Sequence, residues 1–435
     1  MGHNGKPDPH RLRLQHNGLS FIETGPGIDN RAPAGEQKNF NTWPWHSPGR
    51  ADLLTGEEKR MTDQKPRILF LDMFDTTSAY YRIYLINDAL VRQDKAIAIS
   101  AGALWHHVAK HDLKEMAGHL RRCSIASDII IIQQYPTLET IEWIKAWRYM
   151  NKLVLIESDD LADNTTETID RITQGRARSK WLNRIAVWSQ ADGFLTSTKY
   201  LADHYSAKFN KPAYVFKNYL DFTDDRWQKE KVFNEKIIIG YMGSMSHTAD
   251  VGLIKDAILY IADKHPEVEF RIMGACPHEL INSGRENIKR IKENFNISEY
   301  TKEVAQFDIG LAPLEDLPFN HAKSDLKFLE YARFKIPGIY SKVQAYRDSV
   351  VNGHTGILTD NTPEAWALEL TKLIIDEKKR AKIGAAAFEY CRTKRDILDH
   401  TDEFLKLLKK AQDERKTITN TSLIIPRKGI IIPTC

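Results

Sequence analysis

Cysteine is scarce in this chain: Cys123, Cys276, Cys391 and Cys435 stand far apart among 435 residues. None falls in a CxxC or Cys/His spacing, so no zinc site or disulfide framework is offered and a reducing compartment is expected. Long hydrophobic runs are missing too. No stretch of about 18 apolar residues occurs, so nothing reads as a transmembrane helix. No apolar h-region follows Met1, so no secretory leader is expected. Charge of one sign is also absent. Against 62 Lys and Arg stand 58 Asp and Glu, a net charge of +4 without a dense basic tract. That balance argues against nucleic acid as a partner. Neither a full GxGxxG nor a Walker lysine is present, which disfavours NAD and P-loop readings.

What remains is globular: 42% hydrophobic and 10% aromatic residues. The length exceeds one compact core, so two domains plus extensions are expected. Residues 1–64 are rich in Pro, Gly, Asn, His and charge without sustained period, and read as a mostly disordered extension. The pattern changes at the apolar run Arg67–Asp72. From there strands alternate with amphipathic segments, which predicts an α/β fold with a parallel sheet and right-handed crossovers. Strands are expected at Ala96–Ser100, Asp128–Gln133, Leu153–Glu157, Gly193–Thr196 and Ala213–Phe216. Between them helices are expected near Ala79–Arg92, His106–Arg122, Leu138–Tyr149, Lys180–Ser189 and Lys199–Tyr205.

A polar stretch, 221–235, then separates a first half, 65–220, from a second, 236–395. The second opens on the strand at Lys236 and adds strands at Val268–Met273, Phe307–Ala312, Gly338–Tyr340 and Thr355–Leu358. Its helices are expected near Asp250–Lys264, Glu299–Gln306, Ala322–Phe334, Gln344–Val350, Pro363–Asp376 and Lys378–Lys410. Residues 396–435 read as the end of that last helix and a tail. The tail's Leu423–Pro433 segment, rich in isoleucine, reads as a loose tail or an edge strand, or as a patch touching a membrane peripherally. The expected architecture is two Rossmann-like halves on a hinge.

The richest segment runs from Asp308 to Ala332. A short apolar strand ends in a turn at Pro313, and a helix follows. At about 100° per residue Lys323, Lys327 and Glu330 share one sector, while Phe328, Leu329 and Ala332 point the other way. Cations near a helix start, beside a strand's carboxyl end, suit a diphosphate, and a carboxylate there suits a ribose diol. The ordinary alternative is a solvated face with Lys327 and Glu330 as an i,i+3 pair. A second turn, Gly240–Asp250, follows the first strand of the second half. Gly243 lets a backbone approach a phosphate, Ser244 and Ser246 can donate, and His247 can cap a helix or donate to ligand. A third cluster, Glu157, Asp159, Asp160 and Asp163, follows a strand of the first half. It can bind substrate hydroxyls, act as a base, hold a metal, or cap a helix. Asp72 and Asp75 follow the first strand. The haloacid-dehalogenase phosphatases need two such carboxylates two positions apart, and here the spacing is three, so that reading is set aside. Arg82, early in the next helix, can face a cleft between the halves or simply the surface.

In chain order these segments resemble a retaining glycosyltransferase of the group 1 type and GT-B architecture. The nearest likeness is to bacterial enzymes that build O-antigen, capsule or other surface glycans, lipopolysaccharide included. The matching pieces are Tyr81-Arg82, Leu155–Leu161, Leu195–Leu201, Val215–Asn218, Ile239–Asp250 and Asp308–Ala332, the last being the most specific. The resemblance implies hexosyl transfer from a nucleotide-sugar donor, held by the second half, to a glycan or lipid-linked glycan held by the first. It implies no cofactor, no obligatory metal, and a cytoplasmic location at the inner face of the membrane. Carried over by position, Lys323 and Glu330 are the catalytic pair, neutralising the departing diphosphate and holding the ribose. Gly243, Ser244, His247, Pro313, Asn320 and Lys327 line the donor side, and Arg82, Asp159 and Asp160 the acceptor side. One departure stands out. Many retaining members carry a glutamate eight positions before the second one, and Ala322 stands there, with Asn320 or His321 as substitutes. A sugar-nucleotide epimerase of the same fold, or a catalytically silent binding scaffold, are the competing expectations.

Overall fold

The computed structural model describes residues 65–72, 76–101, 113–134, 138–162, 176–228, 235–292 and 296–422. The extension 1–64, Asp75, Asp163 and the Leu423–Pro433 tail lie outside them.

Two parallel six-stranded sheets carry the fold. The first comprises β1 (Arg67–Leu71), β2 (Ile97–Ser100), β3 (Ile129–Gln133), β4 (Leu153–Ser158), β5 (Gly193–Thr196) and β6 (Ala213–Val215). Its order is β2-β1-β3-β4-β5-β6. The second comprises β7 (Ile237–Gly243), β8 (Val268–Gly274), β9 (Ile288–Ile291), β10 (Ile309–Ala312), β11 (Gly338–Ser341) and β12 (Ile357–Thr359). Its order, β12-β11-β10-β7-β8-β9, reverses direction between β7 and β10. These are two Rossmann-like lobes. Strands β3, β4, β5 and β10 are buried along their whole length, which is why they read as continuous Ile, Leu and Val runs rather than alternating ones.

The reversal matters for position. β7 and β10 are hydrogen-bonded neighbours, with Ile239 opposite Ile309 and Gly240 opposite Gly310. Their following connections leave to opposite sides and open a crevice at the carboxyl ends, where open α/β sheets bind ligands. The sheet can be covered tightly there because Gly310 has no side chain. A Cβ on it would lie 2.4 Å from the Tyr331 ring, and the Tyr331 hydroxyl donates to Leu311 O at 2.6 Å.

The chain crosses between lobes twice. Leu220 N donates to Arg395 O, and Ile397 N donates back to Leu220 O, so the outgoing and returning segments run side by side. Helix Thr401–Ser422 then returns to the first lobe, where Phe404 packs on Phe70 and Phe216 and the Tyr214 hydroxyl donates to Glu414.

Three of the elements that differ from expectation bear on the site and the crossover. The long helix expected at Lys378–Lys410 is broken into Glu377–Lys394, a short 3-10 turn and Thr401–Ser422. No Pro or Gly marks the break; the buried Arg395 side chain and the Leu220 backbone draw the chain out of helical register. The helix expected from Ala322 starts at Leu326. Residues just before it are held outside the helix, Ser324 by Asn218 of the first lobe and Asp325 by Arg395 at the returning crossover. Strand β9 was not anticipated: its sequence, Ile-Lys-Arg-Ile, has apolar residues three apart and two charges between them, a helix-like spacing on an edge strand.

Candidate active site

At the end of β7 the chain turns through Gly243 and Ser244 into a 3-10 turn, Met245–His247, and a short helix, Thr248–Gly252. A Cβ on Gly243 would meet the Tyr241 hydroxyl at 2.4 Å, so only glycine lets that ring stand against the turn. Asp250 is the buried hub behind it. Its Oδ1 accepts from Glu315 N at 2.7 Å and from Asn320 Nδ2 at 2.8 Å, and its Oδ2 lies 2.7 Å from His247 Nδ1. One carboxylate thus ties the β7 turn to the β10 turn. Asn320, the donor-side candidate, spends its amide on Asp250 and on Glu315 O. The Ser246 side chain lies outside the described part.

After β10, Pro313 and Leu314 lead into a short helix, Pro318–His321, and a turn carrying Lys323 and Ser324. Pro313, His247, Lys323, Ser324 and Lys327, with Tyr241 and Tyr346, line a cavity of about 70 Å³ at the sheet reversal. That volume is well below the roughly 300–1,000 Å³ of a small-molecule site. The crevice is held shut by the first lobe. Lys323 Nζ lies 2.5 Å from Asp160 Oδ1 and rests over the Phe319 ring, and Thr198 Oγ1 donates to Ala322 O at 3.2 Å. Ala322 is fully buried in an apolar cluster of the first lobe. Ala322 serves as packing here.

Glu330 is fully buried as well. The Tyr81 hydroxyl, from the first lobe, donates to its Oε1 at 2.9 Å. Its Oε2 accepts from the Tyr300 hydroxyl at 2.7 Å and from Lys327 Nζ at 2.9 Å. Burial, reinforced by the Glu330 charge, raises both tyrosines well above the usual phenol value, so both act as donors. The expected Lys327–Glu330 contact is present, yet as part of a buried network rather than a solvated face.

On the first-lobe side, Asp159 accepts from Ser78 Oγ and Gln134 Nε2, each at 2.7 Å. Burial and the neighbouring Asp160 charge lift its carboxyl above the ordinary range. Arg82 is not at the cavity. It is buried, with Nε 2.6 Å from Glu157 Oε1 and Nη1 donating to Phe216 O and Asn218 Oδ1. Burial pushes Glu157 up to about 8 even against Arg82.

Several site-forming residues stand in segments quoted above but were given no role there. Asn218 joins the lobes, accepting from Arg82 and donating to Ser324 Oγ at 2.7 Å. Asp325 accepts two bonds from Arg395 and one from Ser349. Burial alone would raise Asp325, but Arg395 and Ser349 hold it below the usual aspartate value. For Asp250 a signal existed, the three-residue spacing from His247; for Asn218, Asp325 and Tyr81 the partners are too far along the chain for any local pattern to show them. No group of three or more His, Cys, Asp or Glu able to hold a metal is found among the described residues.

Two Rossmann-like lobes with polar groups converging at the second sheet's reversal define the GT-B class of architecture. Residues 236–376 match the family described as glycosyl transferases group 1. The match lies within the second lobe and is a likeness to a group 1 glycosyltransferase domain. The fold is similar to Anabaena Alr3699/HepE, solved in complex with UDP and glucose, at 14% identity and a TM-score of 0.55, covering 79% of this chain and 99% of that one. It is similar to a Rickettsia africae glycosyltransferase at 13% identity and TM-score 0.55, covering 80% and 98%. A third likeness is sucrose-phosphate synthase from Thermosynechococcus elongatus, at 12% identity and TM-score 0.56, covering 80% and 100%. No curated protein matches the chain.

Proposed function

We propose that this chain transfers a sugar, with retention and without a metal, from a nucleotide-sugar donor to a glycan or lipid-linked glycan acceptor in surface polysaccharide assembly. Donor binding falls to the half spanning 236–395 and acceptor binding to the half spanning 65–220, with 221–235 as the hinge. The reaction takes place in the cytoplasm, at the inner face of the membrane. No described helix is long and apolar enough to cross a membrane, and a peripheral enzyme needs none.

The observation that carries this reading is the convergence of Lys323, Lys327 and His247 on one cavity at the β7–β10 reversal. Glycosyl transfer builds negative charge on the departing phosphate oxygen while the sugar becomes oxocarbenium-like. Fixed cations aimed at that oxygen in a dry cleft stabilise the transition state most. Lys323 and Lys327 supply the charge that a divalent ion supplies elsewhere, and the turn at Gly243 and Ser244 approaches the phosphates. On opening, the ribose hydroxyls take over the Glu330 bond that Tyr81 makes. That the Anabaena neighbour is solved with UDP and glucose fits a nucleotide sugar at this crevice. Asp159 and Asp160 face the acceptor side, while Arg82 supports that side from within through Glu157.

A thermal-shift screen across UDP-, GDP-, dTDP- and CMP-sugars tests the reading, because a specific binder protects the folded state by mass action. One of them should raise the melting temperature, and free nucleotide should be released when an acceptor glycan is added. No shift with any of them would overturn the proposal.

A further inference from the structure

The Lys323–Asp160 contact places a first-lobe carboxylate beside the lysine assigned to the leaving group. Asp160 is built for a fixed position. Its backbone carbonyl accepts from Ser158 Oγ at 2.9 Å, from Ala162 N at 2.8 Å and from the Tyr205 hydroxyl at 2.5 Å. Its side chain is nevertheless 38% exposed, against 18% for Lys323, so the carboxylate stands at the rim of the crevice rather than inside the lobe. The other side of the contact is fixed as well. Ala322 O is bound by Thr198, and the Tyr200 and His321 rings meet at 6.0 Å, which seats the Lys323 turn on the first lobe.

We propose that Asp160 contacts the sugar being transferred and faces its anomeric carbon, sharing Lys323 with the departing diphosphate. This rests on the donor reading above and deepens it, turning Asp160 from the acceptor toward the transferred sugar that lies between acceptor and diphosphate. The sugar is joined directly to the terminal phosphate. A carboxylate 2.5 Å from the ammonium that holds this phosphate therefore lies within two hydrogen-bond lengths, about 5 Å, of the phosphate oxygen that the ammonium touches. In the transfer the bond from C1 to the phosphate oxygen breaks, and its electron pair leaves on the diphosphate. A bond from the acceptor hydroxyl oxygen to C1 forms, and the hydroxyl proton goes to the departing diphosphate. Asp160 takes no proton in this step. Its charge opposes the positive charge growing on the sugar ring while Lys323 opposes the negative charge growing on the phosphate, and each orients the other. The carboxylate that the donor turn itself lacks at Ala322 is thereby supplied from the opposite lobe.

The test uses the full chain with the panel of UDP-, GDP-, dTDP- and CMP-sugars, following nucleotide release from whichever is turned over, together with the melting temperature. Asp160→Asn should lower kcat about 10²–10³-fold, the scale of losing one electrostatic stabiliser of the transition state. Its affinity for the free nucleotide should be unchanged or tighter, because Lys323 loses a competitor. Asp160→Glu, which keeps the charge, should recover at least tenfold of the lost rate, and the melting temperature should stay near wild type. A normal kcat in Asp160→Asn, alongside a Lys323→Ala that is impaired, overturns this inference alone. Loss of affinity and rate together with a lowered melting temperature, unrescued by Asp160→Glu, marks a structural role and also overturns it. Turnover of no panel member, with nucleotide affinity unaltered by Lys323→Ala, removes the donor reading and this inference with it.

Discussion

Arg395→Met should destabilise the protein by a calculable amount. Arg395 is buried where the returning crossover leaves the second lobe. Nη1 donates to Asp325 Oδ2 at 2.6 Å and Nη2 to Asp325 Oδ1 at 2.9 Å, while Nε and Nη2 also reach Asn218 O. Removing one partner of such a buried pair leaves an uncompensated charge and costs about 3–5 kcal/mol. The compact unit runs from Asp63 to Cys435. At roughly 2.1 cal/mol/K per residue its unfolding entropy is about 0.8 kcal/mol/K, so the melting temperature should fall by about 4–6 °C. The pH dependence has a defined sign. Asp325 is held below its ordinary value, so its contribution is fully present above the unfolded aspartate pKa near 4 and is lost as pH falls through the folded value. The gap between wild type and variant should therefore be full at pH 7 and close on acidification below about pH 4. Adding Asp325→Asn to Arg395→Met should restore part of the loss, because removing both charges is nearly neutral where removing one is not. Calorimetric melting of the three proteins at pH 7 and in acid decides it. A single variant that melts within 1 °C of wild type, or a double variant less stable than the single, would refute the reasoning.

Three further outcomes are expected. Tyr81→Phe removes the first-lobe bond to Glu330, which is worth about 0.5–1.5 kcal/mol net. Nucleotide binding should tighten about two- to tenfold by calorimetry, and weaker binding would show that Tyr81 does not compete with ligand. Gly243→Ala brings a methyl group to 2.4 Å from the Tyr241 hydroxyl, driving that ring into the cavity. Nucleotide affinity should fall at least tenfold with little change in melting temperature, and unchanged affinity would remove Gly243 from the donor side. Chelation with EDTA should leave nucleotide release unchanged, and loss of release restored by added Mg²⁺ would contradict metal-independent transfer.

The periodic parts of this chain were legible because they follow from burial alone. Strands covered on both faces show as unbroken apolar runs, as at Ile129–Gln133 and Gly193–Thr196. The helix expected at Pro363–Asp376 is found at Pro363–Ile375, where the Thr362 hydroxyl accepts from Ala365 N and Pro363 takes the first helical position. The convergence at the crevice was partly legible, since Lys323, Lys327, His247 and Pro313 do line one cavity. What stayed hidden depends on partners far along the chain. The burial of Glu330 was hidden because its helix spacing said nothing of Tyr81, 249 positions away. Arg82 read as a cleft or surface arginine because its burial depends on Glu157, Phe216 and Asn218 together. The break at Arg395 was invisible for the same reason: a long-range ion pair, not a Pro or Gly, ends that helix.

The most direct test is calorimetric titration of wild type and Lys323→Ala with the nucleotide that most raises the melting temperature among UDP, GDP, dTDP and CMP. If the diphosphate lies against this lysine, the variant should bind about 10- to 100-fold more weakly, the range for a lost hydrogen bond to a charged group. Equal affinity in the two proteins would place the nucleotide elsewhere and contradict the account.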